Sequence, residues 1–452
     1  MNVNASSMCY RATDESLPKI GVALLSFVGA GVVFLVDAAL GLVLFSGLAV
    51  LFVFLNLTYA LWFLPLVILL RNSDLSGFGA SDGNILVLSV VAGIVLFSLR
   101  FGRFKFTPIA FFAFMAGIFI VLSAGYHLAF GDPDIYRIIR YSILALSGGV
   151  FVASIDAVDD SSIRRILSPV PVVVVLLVLI IVNLVYSWST HGWYWGGRIS
   201  VRLSPTDTIN TALPMLMLWL LAFWRLGSVR GRVWYFTLCV LLVGIAAIAL
   251  TGARAVMVAL LVGVLVPYSV NFILYISKHS FIRVRAMKAL GLIFTGALIA
   301  GFILYQGFLS EYADGFRIIQ NPMASAMSRL DIWLAWIGEL NGLSIWTGVG
   351  VGGEAIVGSH PHSAYFGVLV YSGVIAFLFV CLLLVFVGAS ALKQRNAAAL
   401  GVFTAASTVF MSAVQPDRPD LWFAIMLMVA LLRLGRRTVR VKASIYEEAA
   451  SR

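Results

Sequence analysis

SAYFGVLVYSGVIAFLFVCLLLVFVGAS, residues 363–390, contains no charged side chain. An apolar segment of about 20 residues can cross the hydrocarbon core of a bilayer as an α-helix. Comparable runs recur along a chain of 452 residues that is 61% apolar and only 11% charged. None of them alternates like a strand, and a spanning segment must satisfy its own backbone hydrogen bonds. The sequence therefore predicts an all-α, polytopic membrane protein.

The apolar runs predict 12–14 transmembrane helices in total. The first stretch, 19–70, is long enough for two or three of them. The other runs lie at 84–99, 107–125, 136–155, 167–187, 207–224, 232–250, 255–276, 289–309, 363–390, 397–414 and 419–433. No internal repeat and no separable soluble domain is evident between them.

Basic residues are divided unevenly between the two sides of this predicted bundle. Clusters at 100–105, 164–165, 225–232, 278–288, 393–395 and 433–442 alternate with weakly basic loops. Because loops rich in lysine and arginine stay in the cytoplasm, these clusters mark the inner side. The net charge of +11 is therefore explained by membrane topology, and no nucleic-acid partner is predicted.

This topology divides the chain into five predicted parts. They are a cytoplasmic tail (1–18), a transmembrane bundle (19–309), a large outer loop with a surface helix (310–362), C-terminal transmembrane helices (363–433) and a basic cytoplasmic tail (434–452). The surface helix is predicted from NPMASAMSRLDIWLAWIGEL, residues 321–340, in which Asn321 can cap and Pro322 suits the first turn. Its apolar residues at helical spacing are Leu330, Trp333, Leu334, Ile337 and Leu340.

The outer side carries arginine and no lysine, since all six lysines fall on the inner side. The outer basic residues are Arg71, Arg137, Arg140, Arg198, Arg202, Arg254, Arg317, Arg329 and Arg418. A guanidinium group offers a planar fork of donors that suits phosphate oxygens. Arg254 is the most unusual of them, because it stands between two long apolar runs, where a charge costs about 3 kcal/mol toward the bilayer centre.

Seven of the nine outer arginines also have a structural interpretation. Arg254, Arg137 and Arg140 could extend to lipid head groups. Arg329 could pair with Asp331 or Glu339, and Arg418 with Asp417 or Asp420. Arg198 and Arg202 could be solvated loop residues.

His360 and His362 flank Pro361 at the entrance of the span that begins near residue 363. Proline keeps this segment extended, so that one imidazole can point into a cleft while the other orients the chain. A histidine is suited to act as a general base near neutral pH, although a hydrogen-bonded structural role is the alternative. The three other histidines and the three scattered cysteines offer no ligand spacing, so neither a metal nor a cofactor is predicted.

The glycine-rich stretch TGVGVGGE, residues 347–354, precedes the histidines. It lacks the Lys and Ser/Thr of a phosphate-binding P-loop. We therefore expect it to provide a tight turn between the surface helix and the span, with phosphate approach as the alternative.

Taken in order, the outer motifs are GRIS (197–200), LTGAR (250–254), SRLDIW (328–333), GVGVGG (348–353) and HPH (360–362). This order resembles that of the O-antigen ligases, in the wider group that includes O-antigen polymerases and bacterial protein O-oligosaccharyltransferases. The resemblance covers about Arg198 to Gly373. The family pattern continues as HPHN, whereas Ser363 follows His362 in this chain.

The resemblance implies a GT-C-like membrane glycosyltransferase. Such an enzyme moves an O-antigen glycan from undecaprenyl pyrophosphate to the lipid A core oligosaccharide, on the periplasmic face of the bacterial inner membrane. His362 would then be the catalytic histidine, and Arg254 and Arg329 would hold the pyrophosphate. Further candidates for substrate binding are Arg137, Arg140, Arg198, Arg202 and His360.

The residue types fit this chemistry, because a sugar pyrophosphate needs only a base for the acceptor and cations for the leaving group. We expect in-line attack with inversion at the anomeric carbon. An O-antigen polymerase or a protein O-oligosaccharyltransferase would share this donor chemistry. A transporter or flippase of an anionic lipid-linked glycan is the alternative outside the enzymes, and it would place charges deep inside its spans.

Overall fold

The computed structural model describes residues 17–71, 75–78, 81–101, 104, 107–130, 134–191, 208–251, 253–276, 322–412 and 418–450. Within these ranges the regular elements are helices, and no strand occurs. The all-α prediction is confirmed. The predicted span at 289–309 and the first part of the outer loop lie outside the described residues.

The bounds of the helices follow from the sequence signals that begin and end them. Thr107 and Asp134, for example, cap the helices that follow them by accepting from the backbone N–H three residues on. The helices are α1 (Leu17–Val36), α2 (Ala38–Leu55), α3 (Ala60–Leu69), α4 (Asp82–Phe101), α5 (Pro108–Ala129), α6 (Ile135–Ser154), α7 (Asp160–Ile166), α8 (Pro169–His191), α9 (Thr208–Arg225), α10 (Arg232–Leu250), α11 (Arg254–Ile276), α12 (Pro322–Glu339), α13 (Ser344–Thr347), α14 (Gly353–Val357), α15 (Ala364–Gln394), α16 (Ala397–Ser412) and α17 (Pro419–Ala450).

Eight helices in the described ranges are long and apolar enough to cross a membrane. The number becomes nine if α7 and α8, which meet at a bend of 44°, form one broken span. Large apolar side chains such as Leu25, Leu99 and Val385 point outward from the bundle, as expected of surfaces that face lipid. A multi-pass membrane protein is thus confirmed, and the total of 12–14 spans stays a prediction.

The relative directions of α5, α6 and α15 follow from the contacts between them. α5 and α6 are joined by a short connection and pack side by side, as antiparallel neighbours do. α15 is antiparallel to α5, because ring pairs join Phe119 to Phe379 and Phe112 to Phe386. α6 and α15 therefore begin at the same end of the bundle, where α5 ends.

α17 runs parallel to α6. Gly148 of α6 lies against the Trp422 ring near the start of α17. Further along, Arg433 of α17 donates from Nε to Asp160 at 2.8 Å, just beyond the end of α6. α17 therefore runs in the same direction as α6 and α15, and Arg418 directly before it acts electrostatically on His362, two residues before α15.

α11 also begins at this end, and the packing of α9 shows why. Leu220 of α9 lies against Gly263, and the ring of Trp224 lies 4.9 Å from that of Tyr268, so the two helices are parallel. α9 ends at Arg225 beside α7, at the other end of the bundle. At a rise of about 1.5 Å per residue, the start of α11 lies about 13 Å from Gly263 toward the end at which α6 begins.

We call the end that holds the starts of α6, α11, α15 and α17 the site end, and the other the basic end. The basic end carries Arg100, Arg225 and Arg433, each of which is the first residue of a predicted basic cluster. Arg225 donates to the Leu167 carbonyl at 2.5 Å, and Arg433 also lies 3.4 Å from Asp156. These residues of the predicted basic clusters thus lie at one end of the bundle, as the positive-inside pattern predicts.

Candidate functional site

The two candidate histidines lie at the site end, on a short non-helical segment between α14 and α15. Among the described non-glycine residues, only His362 and Arg395 have positive φ, and that of His362 is 50°. Directly after it, Ser363 caps α15 by accepting from the Phe366 N–H at 3.3 Å. Ser363 also donates to the Phe410 carbonyl of α16 at 3.2 Å. The backbone of His362 is therefore held at the mouth of α15 by the cap that follows it.

The helix predicted within residues 321–340 is present as α12, and it holds the histidine segment through two tryptophans. Trp333 donates from Nε1 to the Pro361 carbonyl at 2.6 Å, and Trp336 donates to the Ser359 carbonyl at 3.1 Å. Arg329 precedes these tryptophans by four and seven residues, a spacing that places all three side chains on one helix face. Arg329 therefore shares the face of α12 that contacts the histidine segment.

The apolar residues of α12 that are buried differ from those that the sequence analysis placed on its apolar face. Trp336, which that prediction did not include, is fully buried, and its ring packs 5.7 Å from that of Tyr371. Leu330, Leu334 and Ile337 are exposed instead. The reason is that the tryptophans find hydrogen-bond acceptors in the histidine segment, which leaves the leucine side of the helix facing outward.

The surroundings of His362 favour its neutral form. Burial lowers its pKa from the ordinary value, and the charges of Arg329 and Arg418, together with that of His360 when it is protonated, lower it further. The charge of Glu354 acts in the opposite sense and raises the pKa, but less strongly. The His360 ring lies 6.3 Å from the His362 ring and nearly perpendicular to it. His362 is thus half-buried, neutral near pH 7 and able to accept a proton.

Arg329 is the cation that acts most strongly on His362. Burial lowers the pKa of Arg329, yet an arginine side chain stays protonated at neutral pH. A half-buried guanidinium loses part of its hydration, and a phosphate oxygen can replace it. Arg329 and His362 therefore lie close enough for the charge of Arg329 to lower the pKa of the imidazole.

Glu354, on α14, is the centre of a hydrogen-bonded cluster that sequence reasoning missed. Arg137 of α6 binds it with both terminal nitrogens, at 2.6 and 2.8 Å. His360 donates from Nδ1 at 2.5 Å, and the hydroxyl of Tyr371 donates to the same carboxylate. Burial alone would raise the pKa of Glu354, but these donors and the charge of Arg137 lower it to about 2. We call these four residues the Glu354 cluster.

The glycine-rich stretch forms a turn that packs backbone to backbone against α15. Gly348 (φ 77°, ψ 176°) and Gly373 (φ 81°, ψ 175°) both adopt a conformation that is essentially restricted to glycine. A Cβ atom on Gly373 would overlap the Trp346 carbonyl, and one on Gly348 would overlap the Tyr371 backbone. The tight turn predicted at this position is therefore confirmed.

α15 is broken where this turn meets it. Gly373 interrupts the helix, and the Val370 carbonyl accepts from the Val349 N–H at 2.7 Å. Ser123 of α5 donates to the Thr347 carbonyl at 2.6 Å, and His127 Nε2 lies 3.1 Å from the same oxygen. Ser123 also donates to the Tyr371 carbonyl at 3.3 Å, so that α5 and the turn satisfy two carbonyls at a break within the apolar run 363–390.

The remaining predicted residues have different positions. Arg254 is the first residue of α11 and so lies at the site end, as described above. Arg140, on α6, has its guanidinium 5.9 Å from the centre of the Tyr136 ring. Arg198 and Arg202 lie outside the described residues. Among the described residues, no three His, Cys, Asp or Glu side chains are grouped to hold a metal ion, and the prediction of no metal remains a prediction.

The site end is electrostatically suited to an anion. It combines Arg329 with the starts of α11 and α15, and each helix start carries about half a positive charge. Asp134 and Asp420 offset part of this charge at the starts of α6 and α17, and Glu354 is already bound to Arg137. This arrangement can orient an anionic leaving group beside a neutral imidazole. In sequence comparisons, no protein-family model and no curated protein matches the chain.

Proposed function

We propose that this protein is a membrane glycosyltransferase that moves an O-antigen glycan from undecaprenyl pyrophosphate to the lipid A core oligosaccharide. The observation that carries the proposal is the neutral His362, held at the mouth of α15 beside the cationic Arg329. The order of the outer motifs resembles that of the O-antigen ligases. This resemblance supports undecaprenyl pyrophosphate as the carrier of the donor glycan and the lipid A core as the acceptor.

In the proposed reaction, a hydroxyl oxygen of the acceptor attacks the anomeric carbon of the donor. The bond from that carbon to the phosphate oxygen breaks, and undecaprenyl pyrophosphate leaves with the electron pair. His362 takes the hydroxyl proton, and Arg329 and Arg254 stabilise the charge that grows on the leaving phosphate. Attack from the side opposite the leaving group inverts the anomeric centre.

The charges of the bundle support a periplasmic site. The basic end carries arginines of the predicted cytoplasmic clusters, and the positive-inside pattern places such an end in the cytoplasm. The histidine segment and Arg329 lie at the other end. We therefore propose that the site faces the periplasm of the bacterial inner membrane, where the lipid-linked donor and the lipid A core would meet.

The function is tested with purified protein and a glycan on undecaprenyl pyrophosphate. Lipid A core, a second lipid-linked donor and an acceptor peptide are supplied in separate reactions. We expect glycan transfer to the lipid A core and release of undecaprenyl pyrophosphate. Transfer only to the second donor would make the protein a polymerase, and transfer only to the peptide would make it a protein glycosyltransferase. Consumption of no acceptor would overturn the proposal and favour transport of the lipid-linked glycan.

The role of Arg329 is tested by replacing it with lysine, which keeps the charge but loses the fork of donors. We expect kcat/KM to fall about 10- to 100-fold, the effect of losing a hydrogen bond to a charged group. The measurement is the initial rate of transfer at low donor concentration. Arg395→Lys is the matched control, because Arg395 is exposed at the basic end, and it should keep full activity. Full activity of Arg329→Lys would contradict a role for the forked donors of Arg329 in holding the pyrophosphate.

A further inference from the structure

We infer that Glu354 is a positioning residue: its carboxylate joins α6, α15 and His360, and thereby fixes the segment that carries His362. The inference rests on the proposed function, in which His362 is the general base. It adds a residue that neither the sequence motifs nor the resemblance singled out.

The first argument is geometric. Glu354 lies on α14, a helix of only five residues between two glycine-containing turns. Such a short helix cannot hold its own position. Arg137 connects its carboxylate to α6 and the Tyr371 hydroxyl connects it to α15. Because both oxygens of Glu354 accept hydrogen bonds, α14 is fixed to two helices of the bundle.

The second argument concerns the histidine segment. His360 donates to Glu354 and lies two residues before His362, with only Pro361 between them. The proline ring restricts the backbone between the two imidazoles. Fixing the His360 ring therefore restricts the position of the His362 ring, which lies 6.3 Å away.

The third argument is electrostatic. Arg329 from α12 and Arg418 before α17 act on His362 and favour its neutral form, and His360 in its own segment acts in the same sense when it carries a proton. Glu354 is the group that opposes them. Since the pKa of Glu354 is about 2, its carboxylate stays charged across the pH range of an enzyme assay. Glu354 thus both positions the base and moderates the positive potential around it.

This inference also gives Arg137 a specific role. Its two terminal nitrogens lie on the Glu354 carboxylate, at 2.6 and 2.8 Å. Bidentate pairing of this kind neutralises much of the charge that would attract a pyrophosphate. In this interpretation Arg137 acts on the reaction by holding Glu354, and Arg329 and Arg254 remain the candidates for contact with the donor.

The inference is tested with Glu354→Gln in the full-length protein. We expect kcat/KM for transfer to fall about 10- to 100-fold, as when a hydrogen bond to a charged group is lost. In addition, the acidic limb of the pH profile of kcat/KM should move to lower pH. The reason is that this limb reports protonation of His362, and the variant has lost the charge that raises the pKa of His362. A fall in rate with an unmoved limb would show that Glu354 is merely structural, and would overturn the inference.

Two further variants keep the test decisive. Glu354→Asp retains the charge on a shorter side chain. We therefore expect a reduced rate with the acidic limb at its wild-type position. A wild-type rate would contradict the positioning role of Glu354.

Glu339→Gln is the matched control. It removes a carboxylate from the end of α12 that is not among the groups acting on His362, and it should change neither the rate nor the limb.

A measurement without turnover separates this inference from the proposed function. The imidazole of His362 is titrated by NMR in protein with labelled histidine, in the wild type and in Glu354→Gln. A titration of His362 at lower pH in the variant supports the link between Glu354 and His362, even if none of the acceptors is consumed. An unchanged titration would refute the link, even if the wild type transfers the glycan.

Discussion

Replacing His362 by alanine is expected to lower the rate of glycan transfer about 10²- to 10⁴-fold, the usual contribution of a general base. Binding of the undecaprenyl-pyrophosphate donor should be retained, because Arg329 and the helix starts of the site end are unchanged. The measurements are the turnover rate at saturating donor and, separately, equilibrium binding of the donor. Normal turnover of His362→Ala would remove His362 from the mechanism.

His362→Asn is the matched variant. Asparagine accepts a positive φ readily, so it keeps the backbone at 50° while removing the base. We expect it to be as inactive as the alanine variant. Recovered activity in His362→Asn would show that the backbone conformation at this position, and not the imidazole, is what the reaction requires.

The pH dependence follows from the same residue. Burial and the nearby cations lower the pKa of His362, so the imidazole loses its proton at a lower pH than a free histidine side chain. Activity should therefore persist on lowering the pH to about 6.5, the ordinary histidine value, and fall only below it. An acidic limb above that value in the profile of kcat/KM would contradict the electrostatic description of the site.

Replacing Gly373 by alanine is expected to destabilise the protein strongly. The backbone conformation of Gly373 alone costs a residue with a side chain about 1–3 kcal/mol. A further loss follows because the added Cβ would overlap the Trp346 carbonyl, which is backbone and can only be moved away with its whole turn. Since that turn leads to α14 and the Glu354 cluster, activity should be lost as well. The measurement is thermal unfolding of the purified protein in detergent.

Gly231→Ala separates the two contributions. Gly231 also has a positive φ, of 62°, but an added Cβ would meet no atom within 4 Å. It lies at the basic end, before α10, so it should lose about 1–2 kcal/mol from the backbone and retain activity. If Gly373→Ala were no less stable than Gly231→Ala, the close contact between the turn and α15 would be wrong.

Some of the site could be predicted because its signals are local. Asn321 and Pro322 together with the apolar spacing after them predict α12, and the glycines of 347–354 predict a tight turn. Pro361 predicts that the two histidines leave helical structure. Each of these depends on residues within a few positions of one another, which is the range over which capping and backbone preferences act.

Glu354 and the inward face of α12 could not be predicted. The partners of Glu354 are Arg137, 217 residues away, and Tyr371, 17 residues away. Hydropathy does not say which helices are neighbours, because positions that face lipid and positions that face another helix are equally apolar. For the same reason, Leu330 and Trp336 cannot be assigned to the outer or inner side of α12 from their hydrophobicity.

The sequence by itself determined that this is a bundle of membrane helices, because a bilayer requires each spanning segment to be apolar and to satisfy its backbone hydrogen bonds locally. Only the tertiary structure decided that the uncharged run 363–390 is broken at Gly373, where Val349 of the turn and Ser123 of α5 donate to the Val370 and Tyr371 carbonyls. It also decided that Arg137 binds Glu354. Both depend on contacts between segments far apart in the chain, and such contacts exist only once the helices have packed.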